Sequence, residues 1–419
     1  MANFINKMRK KRRKQKNRKE KAQQAAGNKR QTAKTGSNTA AGVSVRLSRR
    51  QRKMLRKGVI SAAAVVAVAF LVVFYIEKHT YNDYKILHTS EQEDIISTKY
   101  TEMDGKILRY SPEGVSLVNK NLEVLWNVTY SMENPVADVN DGWAVIADRD
   151  GTSMEIMDKE GITGSVTTSY TIVKAKVSSQ GLVAAILDNG DETWINFYGS
   201  DGSLIAENQT TMEDPGYPMD VAISDNGLIM MVAYQFVDGG DTTSYVAFYN
   251  FGDVGQTEDD RIVSGYEYEG VVVPQVIYFD GSQSVAVRDD GLTLYKGKQI
   301  PKEEKNIEVE KEIVSTFYDD ETIGLVFKND DKEKQYTMQV YSTSGKLKFT
   351  KNFNIPYTTI KISDGNIIMY NSSQICVMSE NGKEKYMGSI DGTVNDFFKI
   401  GWNKYLLVMD TGVHVIKLR

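Results

Sequence analysis

GLVAAILDNGDETWINFYGSDG, residues 181–202, decides the reading of this chain. A glycine opens it, an apolar run follows to Leu187, and Asp188-Asn189-Gly190-Asp191-Glu192 turns the chain back. A second run, Thr193–Tyr198, then meets another turn at Gly199-Ser200-Asp201-Gly202. Short apolar or alternating runs bounded by Asn, Asp and Gly read as strands joined by tight turns. Their period is not that of a helix.

The unit recurs along the chain. Before it come GKILRYSPEGVSLVNKN from Gly105 and GWAVIADRDGTSMEIMDKEG from Gly142. After it come copies from Gly227, Gly281, Glu321, Gly365 and Gly401, the last reading GWNKYLLVMDTGVHVIKL. Their mean spacing is about 42 residues, the length of one four-stranded propeller blade and longer than ankyrin or TPR units. Each copy supplies the two middle strands. The segments between copies, such as Glu123–Tyr130 (EVLWNVTY) and Ala175–Ser178 (AKVS), supply an outer strand and the next inner one. The expected fold is therefore all-β, an eight-bladed β-propeller over residues 94–419. Seven blades is the alternative if the Glu321 copy, which lacks the leading glycine, is read differently. The last copy stops at Arg419 after its third strand. Tyr84–Thr89 (YKILHT), within residues 77–93, is the candidate for the missing outermost strand, which would abolish an open sheet edge.

The copies resemble the repeats of the PQQ-like, quinoprotein-type propeller superfamily, in which an apolar strand runs into a turn and then a Trp. Val115–Tyr130 (VSLVNKNLEVLWNVTY) carries Trp126 at that place, while Met338–Phe349 and Ile375–Tyr386 keep Gly-Lys but end on Phe349 and Tyr386. The layout also looks like a bacterial family of single-span, membrane-anchored propellers. The resemblance implies a fold, and the non-enzymatic branch implies a scaffold that works through propeller faces. A quinone enzyme of the superfamily would need a calcium-ligating set, a catalytic Asp and often a disulfide. The only cysteine is Cys376, and no cofactor cluster stands out. No cofactor is expected.

Outside the repeats, Gly58–Ile76 (GVISAAAVVAVAFLVVFYI) holds no charge. At 1.5 Å per residue it spans roughly 28 Å, close to a bilayer core. A cleaved signal peptide would be shorter and followed by small residues, whereas Glu77-Lys78-His79 follows here. Arg49, Arg50, Arg52, Lys53, Arg56 and Lys57 precede the run, and only Lys78 and Lys85 follow closely. The positive side faces the cytoplasm, so a transmembrane helix at 58–76, a cytoplasmic N-terminus and an extracytoplasmic ring are expected at the cell membrane. The formal net charge of −4 hides this asymmetry. Residues 1–57 carry 21 of the 51 Lys/Arg and one of the 55 Asp/Glu. Such a polybasic tail is expected to be disordered and to touch anionic lipid. No aromatic interleaves its basic run, so nucleic acid is disfavoured as a partner.

Catalytic motifs are missing from the ring: no Walker loop, H-E-x-x-H or G-x-S-x-G occurs. Three histidines and one cysteine leave little for a metal site. The Asp-rich turns at Asp148–Gly151, Asp188–Glu192 and Asp238–Asp241 could offer oxygens to calcium, but Asp and Asn before Gly are also what tight hairpins require. No catalytic, cofactor or metal residue is assigned. In GYEYEGVVV from Gly265, Tyr266 and Tyr268 alternate on one face and are candidates for a partner-contact patch, with ordinary cross-strand packing as the competing reading. The expected function is a binding or scaffold module at the cell envelope, with a protein, peptide or wall polymer as partner. An envelope-polymer hydrolase or lyase, and a sensor coupling external binding to the tail, are the alternatives.

Overall fold

The structure, a computed structural model, describes residues 78–90, 97–211, 215–331 and 333–419, with single positions at 64, 65, 68 and 75. The chain divides into two units, residues 1–75 and 76–419. The expectations for the basic tail, for Arg49, Arg50, Arg52, Lys53, Arg56 and Lys57, and for the span at 58–76 fall outside the described residues, save for those single positions. Among the described residues no helix is long and apolar enough to cross a membrane.

Residues 84–419 form eight four-stranded antiparallel sheets, each a blade of a closed propeller. Blades 1 to 7 follow the chain as 99–129, 135–167, 171–210, 217–269, 275–308, 313–353 and 359–389. Blade 6 contains the Glu321 copy and is complete, so the count is eight, not seven. Blade 8 takes its three inner strands from Val394–Gly401, Lys404–Met409 and Gly412–Leu418, and its outermost strand from Tyr84–Ser90 at the other end of the domain. That strand runs antiparallel to Gly412–Leu418, from Tyr84 opposite Leu418 to Ser90 opposite Val413.

A β-bulge interrupts the pairing of the two outermost strands in every blade, for example at Leu117/Val118, Phe197/Tyr198 and Val377/Met378. In blade 8 it falls at Ile86/His88, so the N-terminal strand has the geometry of a native fourth strand. An extra residue there bends and twists the strand, as the splayed outer edge of a blade requires. Just before it, residues 78–83 form a short stem. Asn82 and Asp83 each donate a backbone N–H to the Arg419 carbonyl at 3.1 Å, Arg419 N–H donates back to Asp83 at 2.9 Å, and the Arg419 guanidinium grips the Asp83 carboxylate at 2.8 Å. That ion pair, with the guanidinium hydrogen bond as its main part, holds the Asp83 carboxyl below the usual range.

The core is not one centre but eight wedges, one between each pair of neighbouring blades, including 8 and 1. This follows from strands that are apolar on both faces, such as Val183–Asp188 and Lys404–Met409, which pack a different neighbour on each side. The leading glycine of the copies marks the turn between the first and second strands. At Gly181 φ is +78°, and a Cβ would stand 2.5 Å from the Trp143 ring of blade 2, so the residue answers to both turn geometry and packing.

Candidate functional site

The inner strands line the central channel, and side chains lace blades 1 to 8 in succession, with a further link from blade 7 to blade 1. Lys99 of blade 1 donates to the Pro135 carbonyl of blade 2 at 3.0 Å. Asp138 of blade 2 meets Lys176 of blade 3 at 2.7 Å, and its second oxygen accepts from the Val177 N–H at 2.9 Å. Lys174 of blade 3 meets Asp220 of blade 4 at 2.9 Å, and Asp220 also accepts from the Val276 N–H of blade 5 at 2.9 Å. Thr316 of blade 6 donates to Gln275 of blade 5, and Tyr357 at the start of blade 7 donates to Ser315 of blade 6, each at 2.8 Å. Lys361 of blade 7 meets Asp396 of blade 8 at 2.5 Å, and Ser363 of blade 7 donates to Glu102 of blade 1 at 3.4 Å. Apolar wedges are greasy and non-directional, whereas these links are directional and so fix blade register.

Part of this lacing walls a cavity of about 560 Å³, bounded by blades 2 to 6. Its apolar wall includes Val136, Ile172, Val287 and Val314, and its polar groups include Arg149, Lys174, Lys176, Asp138, Asp220 and Gln275. The size and mixed lining are those of a small-ligand or peptide-end pocket. The Asp138 carboxylate, outweighing burial, drives the Lys176 ammonium well above the ordinary lysine range. The carboxylates of Asp138 and Asp220 are thus each clasped by a lysine and a backbone N–H, which suits shape-holding and recognition more than proton transfer. At the rim, Asn134 accepts two hydrogen bonds from Arg149, both at 3.1 Å. Arg288, only 6% exposed, places its Nε 2.9 Å from Asp290 Oδ1 and its guanidinium over the Tyr268 ring at 5.6 Å.

Topology places this cavity. Arg149 and Asp289 follow second strands, while Val136, Gln275 and Ile313 begin first strands, so all sit at one end of the ring. The stem sits at the other end, because Tyr84 pairs with Leu418 at the finish of a third strand. We call these the far face and the stem face. On the far face, blade 4 also stands out. Its middle strands, Ile229–Asp238 and Asp241–Asn250, are ten residues long against five to seven elsewhere, and the hairpin carries Val237 at its exposed tip.

The stem face has the opposite character. The turns between first and second strands bring Asp104, Asp141, Asp225, Asp280, Asp320 and Asp364 around the channel mouth. Burial, then Asp320, Asp280 and Asp141, push the Asp225 carboxyl up; burial, then Asp319 and Asp141, do the same to Asp320. Among the described residues no group of three or more His, Cys, Asp or Glu is arranged to hold a metal ion.

Two of the Asp-rich turns use side-chain oxygens to cap backbone N–H groups, within the turn at 188–192 and in the preceding loop for Asp148. Asp188 accepts from the Gly190 N–H at 2.6 Å, Asn189 accepts from Asp191 and Glu192, and Asp148 accepts from Glu133 and Asn134. Tyr266 and Tyr268 lie on the outer strand of blade 4, with both rings turned into the wedge against blade 5. Tyr266 donates to the Pro301 carbonyl at 3.1 Å and packs with its ring tilted 47° and 5.0 Å from that of Tyr295, and Tyr268 shares a hydroxyl contact with Tyr295. The channel lysines were not singled out from the sequence. Their signal is the pair of lysines two apart in TIVKAKV (171–177), which an alternating strand puts on one face.

Fold and channel together define a closed eight-bladed β-propeller with an N-terminal closing strand. Within that class the chain belongs to DUF5711, a family of unknown function, which matches residues 77–418. No curated protein matches it significantly. Among solved structures, BamB from Moraxella catarrhalis is similar at 12% identity and a TM-score of 0.49, over 80% of this chain and 100% of that one. A eukaryotic initiation factor is similar at 13% and 0.47, over 78% and 89%. The WD40 domain of SCAP from fission yeast is similar at 9% and 0.46, over 80% and 97%. These likenesses concern the course of the chain alone.

Proposed function

We propose that this protein is a binding or scaffold module, held by a single N-terminal span in the cell membrane, whose extracytoplasmic ring takes an envelope protein, peptide or wall polymer on its far face. One observation carries the reading: the 560 Å³ cavity opens at the end of the ring opposite the stem, beside the projecting blade 4 hairpin. A site at that end stays open to partners when the stem leads to a membrane. The charge-free run Gly58–Ile76 and the basic residues before it supply the anchor and its orientation. The polybasic tail then lies against anionic lipid on the cytoplasmic side.

The test is photo-cross-linking in intact cells. A photoreactive residue at Val237 or Val314, both exposed on the far face, should give discrete adducts with an envelope component, while one at Leu204 on the outer flank of blade 3 should not. Adducts from Leu204 alone would refute the assignment. So would a purified protein that captures nothing and cleaves a wall polymer.

A further inference from the structure

Blade 8 carries an unusual row on the stem face. Lys404 lies opposite Lys417, and Lys417 lies opposite Lys85, so three adjacent strands place three lysines side by side. All three are exposed, and none has an ion pair or side-chain hydrogen bond among the described residues. Like charges directly opposite one another destabilise a sheet. The corresponding row of blade 2 reads Trp143, Asp158 and Gly161, and that of blade 5 reads Gln283, Lys296 and Lys302, where Lys296 has Glu304 as an ion-pair partner at 3.5 Å. In the turn before Lys404 stands Trp402, 70% exposed, the most exposed large apolar side chain described. Trp402, Lys404, Lys417 and Lys85 thus form a stripe from the channel mouth to the outer edge of the blade.

We infer that this stripe is a contact surface for anionic lipid, by which the ring rests edge-on against the bilayer. The inference rests on the anchored reading above. An indole with both an apolar body and an N–H suits the headgroup region, and lysines beside it are attracted to an anionic surface. Position favours lipid over another polyanion. Only residues 77–83 separate the apolar run from Tyr84, which is the neighbour of Lys85. Seven residues reach at most about 25 Å, so this edge of the ring stays close to the end of the span. The acidic turns at the channel mouth add a constraint. Asp104 and Asp364 are offset by Lys106 and Lys399, but Asp141, Asp225, Asp280 and Asp320 oppose flat docking of the whole stem face on an anionic surface, which leaves the blade 8 edge as the contact and tilts the ring.

The test uses the full chain in nanodiscs containing phosphatidylglycerol, with tail-brominated lipid as quencher. Tryptophan emission of the unaltered chain should be quenched, and the quenched part should vanish in Trp402→Phe, which leaves Trp126, Trp143 and Trp194 in place. Lys404→Glu combined with Lys417→Glu should reduce that quenching at least about twofold, as should replacing phosphatidylglycerol with phosphatidylcholine. The paired reversal keeps a like-charge pair at 404/417 but makes an opposite-charge pair at 417/85, so its melting temperature should not fall, which separates loss of contact from loss of fold. Equal quenching in the unaltered chain and Trp402→Phe would overturn the inference while leaving the anchor intact. A chain that does not enter nanodiscs at all would overturn the anchor, and the inference with it.

Discussion

The two ends of the channel are built from the same repeated strands and hold opposite electrostatic arrangements. Inside the channel, where the far-face cavity reaches mid-height, opposite charges meet at 2.7 and 2.9 Å, in the pairs Asp138–Lys176 and Asp220–Lys174. On the stem face, like charges converge: carboxylates around the mouth, and three lysines in a row on blade 8. Paired, part-buried charges hold a shape. At the mouth Asp104 and Asp364 meet Lys106 and Lys399 at 3.4 and 3.2 Å, whereas the lysine row has no such partner among the described residues and is a standing cost. One region is therefore a cavity walled by paired charges, and the other carries a surface row of like charge.

The strand Tyr84–Ser90 runs the full height between the two ends, so its removal should have the largest effect. Deleting residues 80–92 leaves the Gly412–Leu418 edge bare and exposes Ile416 and Leu418, which are buried in the wedge between blades 7 and 8. The cooperative thermal transition should be lost or lowered by well over 10 °C; an unchanged melting curve would mean the ring does not need its closing strand. Next comes the cavity. Lys176→Met leaves Asp138 without its cation and should cost about 1–3 kcal/mol by denaturant unfolding. Asp138→Asn in the same chain should recover part of that loss, because the two groups are coupled.

On the stem face the sign reverses. Asp225 is held above its ordinary carboxyl range by burial and by its acidic neighbours. A carboxyl raised on folding favours the folded state only while protonated, so its contribution is present below the unfolded value and lost as pH rises through the folded one. At neutral pH it is therefore a liability. Asp225→Asn should raise the melting temperature at pH 7, with the gain shrinking as pH falls into the carboxylate range. A loss at pH 7 would show that the acidic mouth is stabilised by something other than burial. The smallest effect is expected at the lysine row, where Lys417→Glu should stabilise by about 0.5 kcal/mol, read as a shift in denaturant midpoint.

The blades were legible because each copy carries its own turn chemistry. Asp188-Asn189-Gly190 announces a hairpin locally, and its carboxylate and amide oxygens do cap backbone N–H groups there. The vacancy in the last blade was legible too, since a copy ending at Arg419 is one strand short. The channel site was not. Lys176 meets Asp138 across 38 residues and Lys174 meets Asp220 across 46, so each partner belongs to a neighbouring blade and no local pattern joins them. Tyr266 and Tyr268 illustrate the same limit: alternation put both on one face, but only the neighbouring blade, through Pro301 and Tyr295, tells whether that face meets solvent or a wedge.

The division of labour between the two ends is tested most directly by their heights above a bilayer. Donor dyes on Ser315→Cys at the far-face cavity and on Trp402→Cys at the stem face can be compared, each in the full chain in nanodiscs with an acceptor lipid. Cys376 does not interfere, since burial pushes its thiol up to about 12. Energy transfer should be strong from position 402 and weak from position 315, a difference set by a strand height of roughly 20 Å. Equal transfer from both positions, or stronger transfer from 315, would contradict a cavity that faces away from the membrane.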